Sequence, residues 1–164
     1  MPSKSLGIDG KGSRIVHVIA HDIRSKENIG MLFRNLEFLG VSKLWLTGYS
    51  PTPPDSKIAK IALGAEQSME WEFVPKSTDV IQRLRSEGFQ IIALELTDDS
   101  IPIQDYDASQ RVALLLGREV EGISPTLLLE CDNVISIPRK GKKESLNVAF
   151  AGAIASYEIL SHHP

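Results

Sequence analysis

The sequence of 164 residues contains one cysteine, Cys131, and no long hydrophobic run. A lone cysteine excludes an internal disulfide framework and a metal site made of several cysteines. We therefore expect Cys131 to be a small core residue, and we expect no bound metal. The apolar runs are too short to cross a bilayer, and the N-terminus has no signal-peptide pattern. These absences predict a cytoplasmic protein that does not associate with membranes.

Common nucleotide-binding and hydrolase motifs are also missing. No G-x-G-x-x-G follows the first predicted strand, which argues against a dinucleotide-binding fold and against the methyltransferase fold that has an early glycine-rich turn. Residues 117–122, "GREVEG", have two glycines but lack the Lys-Ser/Thr pair of a P-loop. Neither HExxH nor GxSxG occurs, which excludes a zincin-type metalloprotease and an ordinary α/β-hydrolase.

Positive charge is concentrated in two places, although the net charge of −3 does not suggest a nucleic-acid-binding protein. Residues 139–143, "RKGKK", are strongly basic, and residues 21–26, "HDIRSK", are basic except for Asp22. A local basic patch can bind phosphate even when the whole chain is negative. The alternative is that both segments are solvated loops.

Predicted strands and helices alternate along the chain. The strands are continuously apolar, as in residues 15–20 and 111–117, and do not alternate in polarity. This pattern is typical of an α/β fold with a mostly parallel sheet and helices on both faces. Residues 1–14 are polar and rich in Gly, Ser and Lys, which predicts a flexible tail before a single domain at 15–164.

Apolar periodicity and the positions of Gly, Pro and Ser predict where each element begins and ends. The predicted strands are 15–20, 41–48, 71–74, 89–96, 111–117 and 133–138. The predicted helices are 28–40, 56–69, 77–88, 124–130 and 145–160.

Polar side chains follow three of the predicted strands, where ligands bind in parallel sheets. The candidates for functional residues are Asn28, Arg34, Glu119, Ser145 and Asn147. Each has a simpler interpretation as a helix cap, a surface side chain or a first-turn acid. Asn147 is the hardest to explain in this way. It falls inside the predicted last helix, where Asn is unfavourable and costly to bury without a partner.

Three segments of the chain resemble the signature motifs of one family. They are "ENIGMLFRNLEFLGV", "VALLLGREVEGIS" and "ISIPRKGKKESLNVAFAGAIASYE". In this order they resemble the motifs of the SpoU-type (TrmH-like) RNA ribose 2′-O-methyltransferases of the SPOUT superfamily, over roughly residues 15 to 160. The resemblance implies a C-terminal deep trefoil knot. Pattern analysis would not propose this feature, because knots are nearly absent from proteins.

The resemblance also implies S-adenosylmethionine as cofactor, RNA as substrate, and a homodimer with the active site at the subunit interface. The last helix favours a dimer independently, because its small residues cover more than one face. The matching catalytic positions are Asn28, Arg34, Glu119, Ser145 and Asn147. The matching cofactor positions are Leu94, Glu95, Gly117, Ile137, Ser145 and Leu146. The sequence departs from the family at Arg139, where Met is usual.

Under this interpretation the two basic segments bind RNA. We expect backbone phosphates to contact Arg24, Lys26, Arg139, Lys140, Lys142 and Lys143. A compact dimer can embrace a small folded RNA, which favours tRNA over ribosomal RNA as the substrate. Two other hypotheses stay open. A non-catalytic RNA-binding module on the same scaffold would leave Arg34 and Glu119 without a task, and a flavodoxin-like protein would need a Ser/Thr/Gly phosphate-binding loop that is absent after the first strand.

Overall fold

A seven-stranded sheet forms the centre of the protein in a computed structural model, which describes residues 14–161. The strand order is β3-β2-β1-β6-β4-β7-β5, and every neighbouring pair is parallel. The strands are β1 (Ile15–His21), β2 (Lys43–Thr47), β3 (Trp71–Val74), β4 (Gln90–Leu94), β5 (Ile101–Pro102), β6 (Arg111–Leu116) and β7 (Asn133–Ser136). The predicted tail ends at Arg14. Its other residues, 1–13, lie outside the described residues, as do residues 162–164.

Helices cover both faces of this sheet, which confirms the predicted fold class. They are α1 (Lys26–Leu39), α2 (Ser56–Ala62), α3 (Ala65–Ser68), α4 (Ser77–Ser86), α5 (Pro125–Leu128) and α6 (Val148–Ser161). Val16 and Val18 of β1 belong to the core under α1, α2 and α6, whereas Ile19 belongs to the core under α4 and α5. Successive strand residues thus fill the two cores. Within residues 14–161, no helix is long and apolar enough to span a bilayer.

Local sequence explains why α1 begins and ends where it does. The Ser25 side chain accepts a hydrogen bond from the Asn28 N–H and caps the first turn. Gly40 ends the helix at φ 83°, a left-handed conformation that favours glycine. Between the caps, one face buries Ile29, Leu32, Phe33 and Leu36 against the sheet.

All five predicted helices differ from the structure at one end or both, and two of the differences change the interpretation. Residues 56–69 form two short helices, because Leu63 and Gly64 adopt left-handed conformations at φ 52° and 91°. The last helix begins at Val148 instead of residue 145. Asn147 is consequently an exposed N-cap, whose Oδ1 accepts hydrogen bonds from the N–H groups of Ala149 (2.9 Å) and Phe150 (3.2 Å).

The chain also has order that the sequence patterns did not predict. The short strand β5 and the 3₁₀ turn Ile103–Asp105 follow β4, although no element was expected there. Arg14, the last residue of the predicted tail, is buried and donates hydrogen bonds to the carbonyls of Ala108 and Ile159. These two bonds attach the start of the described chain to α6 and to the segment before β6.

Helix α6 lies close to the sheet on one side and is apolar on its other side. A Cβ at Gly152 would come within 2.8 Å of Leu116 Cδ1, so the absence of a side chain lets α6 approach β6 without moving that leucine. On the opposite side, Phe150, Ile154 and Tyr157 are 53%, 45% and 59% exposed. They are spaced by four and three residues, so they form one stripe, which we call the α6 stripe. None of residues 14–161 covers this stripe.

Candidate functional site

A cavity of about 700 Å³ opens at the carboxyl ends of β6, β4 and β7, which are neighbours in the sheet. Its walls come from segments 94–96, 116–122 and 136–146, and from Val148 and Ala151 of α6. All six positions predicted to bind a cofactor line it: Leu94, Glu95, Gly117, Ile137, Ser145 and Leu146. Its volume lies in the range of ordinary small-molecule sites, about 300–1,000 Å³.

A chain of side-chain hydrogen bonds joins three of the predicted catalytic residues. Asn147 Nδ2 donates to Asn28 Oδ1 at 3.0 Å, and Asn28 Nδ2 donates to Glu119 Oε1 at 3.4 Å. Asn28 is buried, so these bonds satisfy an amide that would be costly to bury alone. Asn147 therefore has two tasks. Its oxygen caps α6, and its nitrogen connects α6 to α1.

The sequence analysis did not predict a role for Ser25, although Ser25 is hydrogen-bonded to the same Glu119 oxygen as Asn28. The Ser25 N–H donates to Glu119 Oε1 at 3.3 Å, while the Ser25 Oγ caps α1. The signal for this residue was its place three positions before Asn28, at the start of an apolar helix. Because Ser25 and Asn28 both donate to Glu119, the start of α1 holds that carboxylate at the edge of the cavity.

The loop 118–122 folds back over the end of β6, and two glycines make this possible. A side chain at Gly117 would come within 2.5 Å of Ile123 and 2.7 Å of the Gly122 backbone. Gly122 has φ 68°, and its added Cβ would come within 2.4 Å of Glu95 Oε2. Gly117 also lines the cavity, and its role in cofactor binding stays a prediction. Glu95 stabilises the loop by accepting the Ile123 N–H at 2.9 Å.

Asp22 and Arg118 form an ion pair that the sequence analysis did not predict. Arg118 lines the cavity, and its Nε lies 3.2 Å from Asp22 Oδ2. Asp22 has the unusual φ of 51° and is buried, and its Oδ1 accepts the Tyr49 N–H at 2.8 Å. His21 Nε2 lies 3.5 Å from Asp22 Oδ2. Burial lowers the pKa of His21 despite the nearby carboxylate, which favours the neutral ring.

Arg34 does not reach the cavity of its own chain. It is exposed and lines a separate cleft of about 380 Å³ between α1 and the α2–α3 segment, together with Phe38 and Leu63. Phe38 is 85% exposed and Leu63 is 66% exposed. Among the five predicted catalytic residues, Ser145 and Glu119 line the cavity, Asn28 and Asn147 are bonded to its edge, and Arg34 lies apart.

The predicted RNA-binding residues fall into two groups. Arg139, Lys142 and Lys143 line the cavity, and Lys140 is an exposed neighbour. Within residues 14–161, the ion pairs include none of these four. Lys26 differs, because its Nζ lies 2.6 Å from Asp55 Oδ2. The hydrogen bond from Lys26 is the main cause of the lowered pKa of Asp55.

Cys131 lies on the other side of the sheet, against the core under α4 and α5. Burial raises its pKa to about 12, so its thiol is protonated at neutral pH. This agrees with the packing role that we expected. In the part of the chain that the structure describes, no three His, Cys, Asp or Glu side chains come together in a way that could hold a metal ion.

Comparison with known proteins identifies the family. Residues 15–157 match the SpoU rRNA Methylase family. The chain belongs to this family. It is 33% identical, over 86% of its length, to a tRNA (guanosine(18)-2′-O)-methyltransferase of Aquifex aeolicus, of which it covers 66%. It is 26% identical, over 83% of its length, to a 23S rRNA (guanosine-2′-O-)-methyltransferase of Acinetobacter baylyi, of which it covers 55%.

A solved structure of a related protein has the same fold. An AdoMet-bound rRNA methyltransferase from Sinorhizobium meliloti superimposes with a TM-score of 0.82 at 27% identity, over 88% of this chain and 55% of that one. The chain thus spans about half to two thirds of the length of these SpoU proteins. The similarity confirms the parallel α/β fold. The trefoil knot implied by the sequence stays a prediction.

Proposed function

We propose that this SpoU domain transfers a methyl group from S-adenosylmethionine to a ribose 2′-hydroxyl of RNA. The observation that carries the proposal is the cavity at the carboxyl ends of β6, β4 and β7, with the Asn147–Asn28–Glu119 chain at its edge. The names of the relatives support the reaction, since they are 2′-O-methyltransferases of tRNA or rRNA. RNA binding alone does not require a small-molecule cavity beside these polar groups, so the cavity favours an enzyme over a non-catalytic RNA-binding module.

The cavity suits S-adenosylmethionine, which supplies a methyl group on a positively charged sulfur. The residues that would hold it include apolar side chains from three segments, Leu94, Ile137 and Leu146, with Gly117 and Ser145 between them. Glu95 would act indirectly. Its carboxylate accepts hydrogen bonds from the N–H groups of Leu96 and Ile123 and so holds the cavity wall in place. A mixed apolar and main-chain lining of this kind fits a nucleoside with an amino-acid tail.

The hydrogen-bonded side chains Asn147, Asn28 and Glu119, at the edge of the cavity, would position the ribose. Glu119 keeps a carboxylate beside the cavity, and Asn28 and Ser25 fix its orientation through hydrogen bonds to Oε1. The groups are held before substrate arrives, so little reordering is needed to align the 2′-hydroxyl. Asn147 makes this arrangement depend on the position of α6.

Arg34 would complete the site from a second copy of the chain. It is the family position for removing the 2′-hydroxyl proton, yet it lies in a different cleft from the cavity of its own chain. A guanidinium is by itself a poor base, and the resemblance to the family implies that a substrate phosphate assists Arg34. The exposed α6 stripe, Phe150, Ile154 and Tyr157, supports a homodimer because an uncovered apolar helix face is usually an interface.

Two finer features of the proposal follow from the RNA substrate. The cations beside the cavity, Arg139, Lys142 and Lys143, would bind backbone phosphates next to the reacting nucleotide. We favour tRNA over ribosomal RNA, because a compact dimer can surround a small folded molecule. Such a substrate agrees with the cytoplasmic location predicted from the sequence.

The test is incubation with methyl-labelled S-adenosylmethionine and purified tRNA or ribosomal RNA, followed by nuclease digestion. We expect label in a 2′-O-methylnucleoside, and in the tRNA sample first. Label in ribosomal RNA alone would change the substrate but keep the reaction. RNA binding without S-adenosylmethionine binding would favour a non-catalytic RNA-binding module, and label in a base would contradict the ribose assignment.

A further inference from the structure

An aromatic side chain stands exposed near the cavity and has no part in the mechanism above. Tyr49, in the loop after β2, is 74% exposed. The Arg24 guanidinium carbon lies 5.2 Å from the centre of its ring, a cation–π contact. We call this pair the Tyr49 platform. The flat face of an exposed ring can stack against another flat group, which gains free energy beyond the area that is buried.

The backbone under the platform is held firmly. The Tyr49 N–H donates to Asp22 Oδ1 at 2.8 Å. The next residue, Ser50, donates from Oγ to the Ala20 carbonyl and accepts the Ile23 N–H, both at 3.0 Å. Three prolines follow at positions 51, 53 and 54 and stiffen the loop. The backbone that carries the ring is therefore fixed, which lowers the backbone entropy lost when a ligand binds.

Two connections place the platform beside the proposed active site. Asp22, which fixes Tyr49, also pairs through Oδ2 with Arg118, a residue of the cavity wall. Arg24, the other half of the platform, directly precedes Ser25, whose N–H donates to Glu119. The platform and the Asn28–Glu119 pair thus share the short segment 22–28 at the end of β1.

We propose that the Tyr49 platform stacks against an unpaired nucleobase of the RNA, next to the nucleotide whose ribose enters the cavity. Every base has a flat π-face, and aromatic side chains bind such faces in single-stranded RNA. Arg24 adds a positive charge that attracts the adjoining phosphate. A base within a duplex has no free face, so the platform selects a loop or an unstacked strand. The proposal rests on the proposed function.

The experiment measures binding of a fluorescently labelled single-stranded oligoribonucleotide of about twelve residues, a length that covers one typical single-strand site. A second oligonucleotide of the same length carries abasic riboses and keeps all phosphates. Tyr49→Ala should bind the first roughly tenfold more weakly than wild type, because stacking on one base is lost. It should bind the abasic oligonucleotide as wild type does. Tyr49→Phe should behave as wild type, and Tyr49→Leu should resemble Tyr49→Ala.

Arg24→Ala provides the electrostatic control. It should weaken binding of both oligonucleotides and reduce the salt dependence by about one unit or less, whereas Tyr49→Ala should leave the salt dependence unchanged. Thermal melting checks that the variants are folded, which we expect because both side chains are exposed. The proposal is overturned if Tyr49→Ala binds the base-containing RNA as wild type does, or if it loses the same factor on abasic RNA.

Failure of the proposed function has a different signature. Stacking is measured by binding without S-adenosylmethionine and does not depend on turnover. A wild-type protein that methylates RNA while Tyr49→Ala binds normally would refute only the platform. A protein that shows the Tyr49 dependence but methylates no RNA would refute the reaction and keep the platform.

Discussion

Two positions on helix α1, Asn28 in its first turn and Arg34 near its middle, lie in different surroundings. At the N-terminal end, Asn28 is buried, and its side chain is bonded to Asn147 and Glu119 at the edge of the cavity. Six residues later, Arg34 is exposed and lines another cleft beside Phe38. Both residues belong to one sequence motif, yet only the first belongs to the site that its own chain builds.

Helix geometry explains the difference. Each residue advances about 100° around the axis and 1.5 Å along it, so residues six apart point about 120° away from each other and are separated by about 9 Å. The two side chains therefore leave the helix in different directions, and the cavity and its polar edge form without Arg34. If Arg34 acts in the reaction, we propose that it does so in the cavity of a second chain.

Replacing Arg34 should have the largest effect on activity. We expect Arg34→Ala to lower methyl transfer roughly a hundredfold or more, the usual contribution of a proton-transfer group. S-adenosylmethionine binding, measured by calorimetry, should be unchanged because Arg34 lies outside the cavity. Arg34→Lys should restore little, since lysine lacks the planar fork of donors. Near-normal turnover in both variants would remove Arg34 from the mechanism.

Mixed dimers test whether Arg34 acts across the interface. Two impaired proteins, Arg34→Ala with almost no expected turnover and Asn147→Ala with about a tenth of it, can be co-expressed with different tags. If Arg34 serves the partner's cavity, each mixed dimer has one intact site. Random pairing should then recover about a quarter of wild-type activity. No recovery from purified mixed dimers would mean that Arg34 acts within its own chain. A monomer by light scattering at micromolar concentration would contradict the dimer itself.

Substitution of Asn147 should have a smaller effect that separates its two tasks. Asn147→Ala removes both the α6 cap and the bond to Asn28, so we expect stability to fall by about 1 kcal/mol and turnover by about tenfold. Asn147→Ser keeps a capping oxygen, but its shorter side chain lacks the Nδ2 group that reaches Asn28. Chemical denaturation should show its stability near wild type, while methylation assays should show the same loss as Asn147→Ala. Full activity in the Ser variant would restrict Asn147 to capping.

Removing the lysines near Asn28 and the cavity should give the smallest effects, and these should appear in RNA binding. Lys142→Ala with Lys143→Ala should reduce the slope of log affinity against log salt for tRNA by up to about two units. S-adenosylmethionine affinity should not change. Lys26→Ala is the matched comparison, and we expect a smaller change because Lys26 is already paired with Asp55 at 2.6 Å. Equal changes in slope would show that the Lys26–Asp55 pair breaks when RNA binds. An unchanged slope in the double variant would mean that RNA binds at another surface of the protein.

Local sequence signals predicted the elements well and their junctions less well. The strand at 15–20 and the helix after Ser25 were found because apolar periodicity extends over many residues. The break at Leu63 was missed, because a left-handed leucine has no sequence signal. Asn147 was placed inside α6, since the apolar residues around it continue the pattern although the helix begins one residue later. Asn is unfavourable inside a helix but favourable as an N-cap, so the capping role of Asn147 explains its position.

The fold class, the family and the polar segments that follow the strands were all predictable from the sequence. They depend on local periods and on motifs that are readable within one segment. Which of those residues meet depends on the tertiary structure: Asn147 with Asn28 across 119 residues, Glu119 with Asn28 across 91, and Asp22 with Arg118 across 96. The physical reason is strand order. The sheet places β1 beside β6, and α6 packs on α1, so contacts form between segments that no local pattern relates.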